Sequence, residues 1–220
     1  MKRFTILLTI SFCAAAIHSD AAFRFGLANS AAKRATKIVD EKLPTNPILI
    51  LPVAVAQMTT SGQVIWPFGI RAGGHPEGHP GIDFQTILGA SVFASAAGKV
   101  REVSDRSGTS LEAEKVIIID HALYQGAYVG SLINISVAVG DFVVQGQKLG
   151  DLGPFALGPG TYGFLHWGYT PFSTQSPVCP YNFLTAQGKK DLEQLFALST
   201  YDGQNQFPLL CNPCPVSGCR

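Results

Sequence analysis

The chain has 220 residues, a formal net charge of +1 at pH 7 and a charged fraction of 14%. This balance excludes the strongly basic surface with which proteins bind nucleic acids or anionic lipids, so we expect neither partner. The length suits one domain with extensions, and 23 glycines and 14 prolines among short valine- and isoleucine-rich runs favour a mainly β fold with tight turns.

The N-terminal residues have the features of a secretory signal peptide. An apolar run over residues 4–12 follows a positively charged start, and small residues allow cleavage after Ala16 or Ala21. The run is too short to span a bilayer, which disfavours a transmembrane anchor. We therefore expect residues 1–21 to be a signal peptide and residues 22–63 to be an N-terminal extension. The protein is expected to be secreted or periplasmic, in the cell envelope, without membrane insertion after cleavage.

The middle of the chain alternates between short strands and turns. A β-branched run within Lys115–Asp120 is typical of a buried strand. Ile48–Ala56, which Pro52 interrupts, is predicted to be an edge or entry strand. The remaining predicted strands are Ile82–Phe84, Ser91–Ala96, Lys99–Val103, Ile133–Val137, Asp141–Val144, Lys148–Gly150 and Leu165–Trp167.

The composition changes after Pro171. Leu192 and Leu195 lie at helical spacing among polar residues, so Gly188–Leu198 is predicted to be an amphipathic helix. We expect residues 172–220 to form a C-terminal extension that contains this helix and a tail rich in cysteine.

Four cysteines lie beyond the predicted signal peptide, namely Cys179, Cys211, Cys214 and Cys219. In an exported protein an even number of cysteines indicates disulfides, and four cysteines allow three pairings that the sequence does not distinguish. A zinc knuckle at Cys211 and Cys214 is the alternative, but its thiolates would have to survive an oxidising compartment. We expect disulfides that hold the C-terminal tail against the body of the protein near Cys179.

Three side chains that are distant in sequence are candidate metal ligands. His79 and Asp83 lie four residues apart on a turn that enters a predicted strand, and His166 lies in another short strand. Two nitrogens and one oxygen leave a fourth position open on a tetrahedral Zn²⁺, which is typical of catalytic rather than structural zinc sites. Taken singly, each residue is more often a turn or core residue, and spacing alone does not bring His166 to the other two.

Several motifs follow one another in a fixed order. After the lead-in Trp66–Arg71 comes a His-x-Gly-x-Asp pattern at His79–Asp83, and then a Gly-x-x-Val-x-Ala stretch that ends in Gly-x-Val over residues 89–100. A strand that ends in His121 precedes a Val-x-x-Gly-Asp-x-Val-x-x-Gly-Gln pattern that opens residues 137–153. In this order the motifs resemble the lysostaphin/LytM-type zinc metallopeptidases, which are peptidoglycan endopeptidases.

The resemblance implies a metallopeptidase domain over residues 64–171. It implies this family's open β-sheet or barrel-sandwich fold, a duplicated hybrid motif, with a groove. It also implies one Zn²⁺ per chain, held by His79, Asp83 and His166, and hydrolysis of peptidoglycan crosslinks or related peptides. The expected partners are therefore peptidoglycan or peptide substrates and, as a further expectation, other cell-wall enzymes.

Two positions depart from the family pattern. The family has catalytic histidines in its His-x-His and Tyr-x-His-Leu segments, where this chain has Phe164 and Ser131. Loss of a general acid or base typically costs about 10²–10⁴ in rate, and loss of an oxyanion donor costs roughly 10²–10³. His75 and Glu77, just before His79, are the candidate catalytic substitutes, although residues at such loop positions are more commonly just solvated.

Two functions are open on the sequence alone. The first is a secreted zinc metallopeptidase-like hydrolase with altered acid/base residues, in which Tyr128 or Tyr162 could donate to an oxyanion. The second is a catalytically degenerate protein that keeps the zinc site and uses the groove to bind the cell wall or to regulate another wall enzyme. The intact ligand set favours the enzyme, and the missing histidines favour the binding protein. His121 is expected either to have a structural role or to support the metal ligands without binding the metal.

Overall fold

The structure is a computed structural model that describes residues 48–58, 65–71, 75–106, 114–155, 161–199 and 209–213. The predicted signal peptide, the N-terminal extension up to residue 47, and Cys214 and Cys219 lie outside the described residues. Within the described ranges, no helix has both the length and the apolar character that crossing a membrane requires.

The described residues form mainly β structure with one α-helix near the C-terminus. In chain order the strands are β1 (Ile65–Trp66), β2 (Gly81–Thr86), β3 (Ser91–Phe93), β4 (Gly98–Asp105), β5 (Lys115–His121), β6 (Tyr124–Gly130), β7 (Leu132–Ile133), β8 (Phe142–Val143), β9 (Lys148–Leu152) and β10 (Gly163–Pro171). The α-helix, α1, is Ala186–Leu198, and 3-10 helices lie at Val55–Gln57 and Pro180–Phe183. The prediction of a mainly β fold with a short C-terminal helix is confirmed.

The strands form two open antiparallel sheets. The larger sheet has seven strands in the order β1-β2-β10-β6-β5-β4-β8, and β3-β9-β7 form the smaller one. Strand β10 thus lies between β2 and β6, both of which come much earlier in the chain. This pairing of distant strands forms the centre of the large sheet.

Strand β10 alternates between the core and the opposite face of the large sheet. Leu165, Trp167 and Tyr169 are at most 1% exposed and pack in the core, as the two-residue period of a strand requires. Burial of each large apolar side chain contributes about 1.5–3 kcal/mol, so this face anchors the strand firmly. The residues between them, including His166, face a cleft.

The segment 48–56 is not the entry strand that its apolar residues predict. It pairs only through isolated bridges, from Leu49 to Leu184 and from Val53 to Val92. The physical reason is Pro52, which lacks the N–H group that continuous pairing needs.

Strand β6 is the reverse case, because its sequence has few β-branched residues and predicts no strand. The structure pairs β6 along its whole length with β5 on one side and β10 on the other. Pairing on both edges outweighs the weak local preference of its glycine and alanine residues.

The helix α1 begins at Ala186, two residues earlier than the amphipathic pattern predicts. The Thr185 side chain caps it by accepting a hydrogen bond from Gly188 N at 2.9 Å. Leu192 and Leu195 are both buried, as their spacing predicts.

A disulfide joins Cys179 to Cys211 and confirms that the tail is attached to the body of the protein. Phe68 N donates to Leu210 O, and Asn212 N donates to Phe68 O. The residues around Cys211 therefore form a short parallel bridge with the segment that precedes His79.

Candidate metal centre

Backbone pairing places the three predicted ligands side by side. Asp83 lies in β2 and His166 in β10, and the two residues are direct partners in the antiparallel register. His79 lies on the turn that leads into β2, where its backbone groups bond to Gly69 and Ile70. Residues that are far apart in sequence thus meet because β2 pairs with β10.

The ligand atoms of these side chains converge. His79 Nε2 lies 3.1 Å from both His166 Nδ1 and Asp83 Oδ1, and His166 Nδ1 lies 2.7 Å from Asp83 Oδ1. A tetrahedral Zn²⁺ with bonds of about 2.0–2.1 Å holds its ligand atoms about 3.3 Å apart. The triangle therefore has the shape of three corners of such a site, at slightly shorter spacing.

A backbone carbonyl sets the direction of the lone pair on His79. Its Nδ1 lies 3.0 Å from Pro67 O, which only accepts, so Nδ1 carries the proton and Nε2 of the neutral ring presents its lone pair to Asp83 and His166. A proton on His166 Nδ1 can be donated to Asp83 Oδ1 or to His79 Nε2, but not to both. Electron pairs therefore face one another at hydrogen-bond distance, and a divalent cation satisfies such an arrangement.

Burial and mutual charge shift the pKa values of Asp83 and His79. Burial raises the pKa of Asp83, but the charges and hydrogen bonds of His166 and His79 outweigh it and lower that pKa to about 2. Burial lowers the pKa of His79, whereas Asp83 and the Pro67 carbonyl together raise it above its usual value. The centre therefore favours an ionised carboxylate, which is the form that binds cations.

Gly81 allows β2 to approach the His166 ring. A Cβ atom at this position would lie 2.6 Å from His166 Cε1 and 2.6 Å from Trp167 O. The carbonyl belongs to the sheet backbone and cannot move away without breaking the pairing. The glycine of the His-x-Gly-x-Asp pattern is therefore required by close packing.

The three side chains lie in a cleft of about 590 Å³ on the open face of the large sheet. Trp66 and His75 line it on the β1 side, and Arg106 and Glu114 line it on the β4 and β5 side. Between them, alternate residues of adjacent strands form its floor: Phe164, His166 and Gly168 on β10, Ala127 and Val129 on β6, and Val116 on β5.

Of the two candidate catalytic substitutes, His75 lies in the cleft and Glu77 does not line it. His75 is half-buried, and its ring centroid lies 5.1 Å from that of His79. Glu77 is also half-buried, on the turn closed by the hydrogen bond from Gly78 N to His75 O. Position in the cleft therefore favours His75 over Glu77.

The two residues that replace the family's histidines have different surroundings. Phe164 faces the cleft and stacks on Phe155 with ring centroids 4.5 Å apart. Ser131 is buried outside the cleft lining, where its hydroxyl donates to Gly153 O at 2.8 Å and accepts from Phe164 N at 3.2 Å. Neither residue offers an acid or base to the cleft.

The remaining candidates lie outside the cleft lining. Tyr128 is buried in the core, and its hydroxyl accepts from Ser95 N at 2.7 Å. Tyr162 is half-buried. His121 lies in the core, where burial lowers its pKa to about 4 although Nδ1 donates to Ala97 O.

Three contributors to this region were missed from the sequence. Pro67 acts through its backbone carbonyl, which residue type does not reveal, although it belongs to the Trp66–Arg71 lead-in. No sequence pattern predicts the contact between Arg106 and Glu114 either, because the two residues come together only when β4 and β5 pair.

The His/Asp/His cluster in the cleft of this mainly β domain offers ligand atoms that could hold one divalent metal ion. Residues 77–178 match the model of peptidase family M23, and this family comprises zinc metallopeptidases. The resemblance to lysostaphin/LytM-type enzymes is thereby confirmed.

Similar solved structures include the lysostaphin catalytic domain from Staphylococcus simulans, with 25% identity, 60% of this chain and 97% of that chain covered, and a TM-score of 0.45. A point mutant of the catalytic domain of the prophage-encoded M23 protein EnpA from Enterococcus faecalis has 27% identity, coverages of 55% and 91%, and a TM-score of 0.42. A zinc containing peptidase from Vibrio cholerae has 24% identity, with 63% of this chain and 39% of that chain covered, and a TM-score of 0.42. The chain thus spans well under two thirds of the Vibrio protein. No curated protein is significantly similar to it.

Proposed function

We propose that the protein is a secreted zinc-dependent peptidase that hydrolyses peptidoglycan crosslinks or related peptides. The observation that supports this most strongly is the convergence of His79 Nε2, Asp83 Oδ1 and His166 Nδ1 to within 3.1 Å of one another in a cleft. The match to the M23 family model supports the reaction class. In this proposal residues 1–21 direct export, residues 64–171 form the catalytic unit, and residues 172–220 extend it.

His79, Asp83 and His166 would hold one Zn²⁺ through two neutral nitrogens and one carboxylate oxygen. This ligand set suits zinc in an enzyme because it leaves a coordination position for substrate. When bound, Zn²⁺ supplies Lewis acidity, which polarises a peptide carbonyl and lowers the pKa of water to about 7.

His75 is the proposed proton carrier. Hydrolysis needs a group that takes a proton from the attacking water and delivers one to the leaving amine, and an imidazole suits this task near neutral pH. The His75 ring lies in the cleft beside His79 and is not one of the proposed ligands. Glu77 is the weaker candidate, since it does not line the cleft.

The replacement of the family's cleft histidine by Phe164 has a cost in rate. One missing acid/base group corresponds to about 10²–10⁴ in rate, so we expect slow turnover. Phe164 and Phe155 instead give that part of the cleft an apolar wall, which suits an apolar group of the peptide.

The second candidate function is a non-catalytic protein that binds wall peptides in the same cleft. The surroundings of Phe164 and Ser131 favour it, because neither position brings an ionisable group to the cleft. Zinc would then stabilise the shape of the cleft without supporting turnover.

The test combines zinc analysis with digestion of purified peptidoglycan by the purified protein. The enzyme hypothesis predicts one bound zinc per chain, slow release of new amino groups, loss of turnover and zinc in His166→Ala, and loss of turnover with retained zinc in His75→Ala. Arg101→Gln, which removes a charge outside the cleft lining, serves as the control and should behave as the wild type.

Bound zinc and measurable affinity for soluble wall peptides, without any release of amino groups, would select the binding protein. Absence of stoichiometric zinc from the wild-type protein would reject both forms of the proposal.

A further inference from the structure

The cleft contains a charged pair that the proposed hydrolysis does not use. Arg106 and Glu114 both line it. Arg106 Nη1 donates to Glu114 Oε2 at 2.8 Å, and Arg106 N donates to the Glu114 backbone carbonyl at 2.9 Å. Backbone and side chain together therefore fix the arginine just beyond the end of β4.

The two side chains of the pair differ in exposure. The Glu114 side chain is 3% exposed and that of Arg106 is 42% exposed. Glu114 Oε1 is buried without a hydrogen-bond partner among the described residues, so no second donor there competes with Arg106. A buried carboxylate needs its partner, and Glu114 therefore holds one edge of the guanidinium while the rest faces outward.

A guanidinium has five N–H donors in one plane and binds carboxylates through two parallel hydrogen bonds. Among the described residues, the side-chain contact of Arg106 is with Glu114 through Nη1. The remaining donors suit a planar anion, and an arginine held in place by a buried partner loses little further freedom when it binds one.

Strand spacing sets the distance from this pair to the candidate metal centre. Strands β6 and β5 lie between β10 and β4 in the large sheet, and the register places Ser104 of β4 in line with His166. Three steps of about 4.8 Å across the sheet and two residues along β4 put the backbones of His166 and Arg106 about 16 Å apart. An extended peptide rises about 3.3 Å per residue. With allowance for the length of both side chains, the interval corresponds to roughly two to four residues of peptide.

We propose that Arg106 binds a carboxylate group of the peptide that lies in the cleft, and that Glu114 is the positioning residue that aims the guanidinium. This rests on the proposed function, since the ligand is the peptide of that same site. The charge of the cleft agrees with it: the Arg106–Glu114 pair has no net charge, and the candidate metal centre with a divalent cation would carry a net positive charge, so an anionic peptide is attracted.

Two sources supply such a carboxylate, the C-terminus of a peptide and an acidic side chain. The test therefore uses four alanine-based pentapeptides that contain either one glutamate or one glutamine and end in either an acid or an amide. Dissociation constants are measured by calorimetry with the full protein, both zinc-loaded and metal-free.

For the wild type, neutralising the recognised carboxylate is expected to weaken binding about ten- to hundredfold, the worth of a charge-assisted hydrogen-bond pair. In Arg106→Gln this discrimination disappears, and in Arg106→Lys, which keeps the charge but loses the planar fork, it falls several-fold. Glu114→Gln also reduces the discrimination, a readout that a purely structural role would leave unchanged. Arg101→Gln on β4 removes an equal charge at a site outside the cleft lining and should discriminate as the wild type does.

Sensitivity to amidation assigns the C-terminal carboxylate, and sensitivity to glutamine assigns the side chain; either supports the proposal. Equal affinity of the wild type for all four peptides overturns it, as does unchanged discrimination in Arg106→Gln or failure of any peptide to bind at millimolar concentration. Zinc content and turnover are measured separately, so carboxylate discrimination in a protein that lacks zinc or activity would refute the proposed function and not this inference.

Discussion

Single atoms at close range determine the geometry of the candidate metal centre. The Pro67 carbonyl, 3.0 Å from His79 Nδ1, directs the lone pair of that ring, and the absence of a side chain at Gly81 leaves room for the His166 ring. Each of these atoms acts on a ligand without being one. Substitutions next to the ligands should therefore change metal affinity in ways that residue type alone does not suggest.

Gly81→Ala should weaken zinc binding about fivefold to a hundredfold. Its Cβ would lie 2.6 Å from both His166 Cε1 and Trp167 O, and relief of such overpacking typically costs about 1–3 kcal/mol, which corresponds to about fivefold to a hundredfold in affinity. The measurement is competition with a chromogenic zinc chelator.

Gly168→Ala is the matched control. It lies opposite Gly81 in the register of β2 and β10, and its Cβ would meet Ala127 Cβ at 3.4 Å, an ordinary contact. Zinc affinity in this variant should stay within about twofold of the wild type, since an ordinary contact adds no strain. Equal losses in both variants would contradict the packing explanation.

Phe164→His and Ser131→His should differ in outcome, although both restore a histidine of the family pattern. Phe164 faces the cleft, so an imidazole there should raise peptidoglycan hydrolysis by up to about 10². Ser131 is 5% exposed and bonded to Gly153 O, so a histidine there should lower stability by roughly 1–3 kcal/mol without raising the rate. Initial rates and urea midpoints check both; an unchanged rate in Phe164→His would show that this position does not limit the chemistry.

At the scale of elements, two connections position the candidate ligands. The pairing of β2 with β10 brings Asp83 beside His166. The tail segment around Cys211 bonds to Phe68, next to the Pro67 carbonyl that orients His79. The disulfide therefore supports the candidate metal centre through a short chain of backbone contacts.

The double variant Cys179→Ala/Cys211→Ala should be less stable and should bind zinc more weakly. Removal of a link across 32 residues costs roughly 3–4 kcal/mol in the chain-entropy model. Loss of the bridge to Phe68 should also loosen Pro67 and lower zinc affinity several-fold. Urea unfolding and chelator competition measure the two effects; wild-type zinc affinity in a folded but destabilised variant would show that the tail does not support the centre.

At the scale of the whole molecule, the elements that the sequence predicts well are those with strong local patterns. The β-branched strand β5 and the helix α1 follow from periodicity, and the candidate ligands follow from the motif order. Strand β6 and the Arg106–Glu114 pair do not, because tertiary pairing creates them. The tautomer of His79 likewise depends on a backbone atom, which no side-chain pattern encodes.

The contribution of His121 to the stability of the metal-free protein should fall between pH 6.5 and pH 4. Burial lowers the pKa of His121 to about 4 in the folded state, against 6.5 when exposed, so the unfolded state binds more protons in this interval. The stabilisation that neutral His121 provides is complete above pH 6.5. It is lost as the pH falls toward 4, by roughly 3 kcal/mol in total.

Guanidinium unfolding at pH 7, 5.5 and 4.5, with a chelator present, measures this loss. His121→Gln, which cannot titrate, should show a smaller decline over the same range. An equal decline in the wild type and in His121→Gln would show that His121 is not buried in its neutral form.

The most direct test of the account is zinc K-edge X-ray absorption on the full protein loaded with one equivalent of metal. The account predicts a shell of nitrogen and oxygen at about 2.0–2.1 Å that includes two imidazoles and lacks sulfur, and His166→Ala should lose stoichiometric zinc. A sulfur shell at about 2.3 Å, or stoichiometric zinc retained in His166→Ala, would contradict a site formed by His79, Asp83 and His166.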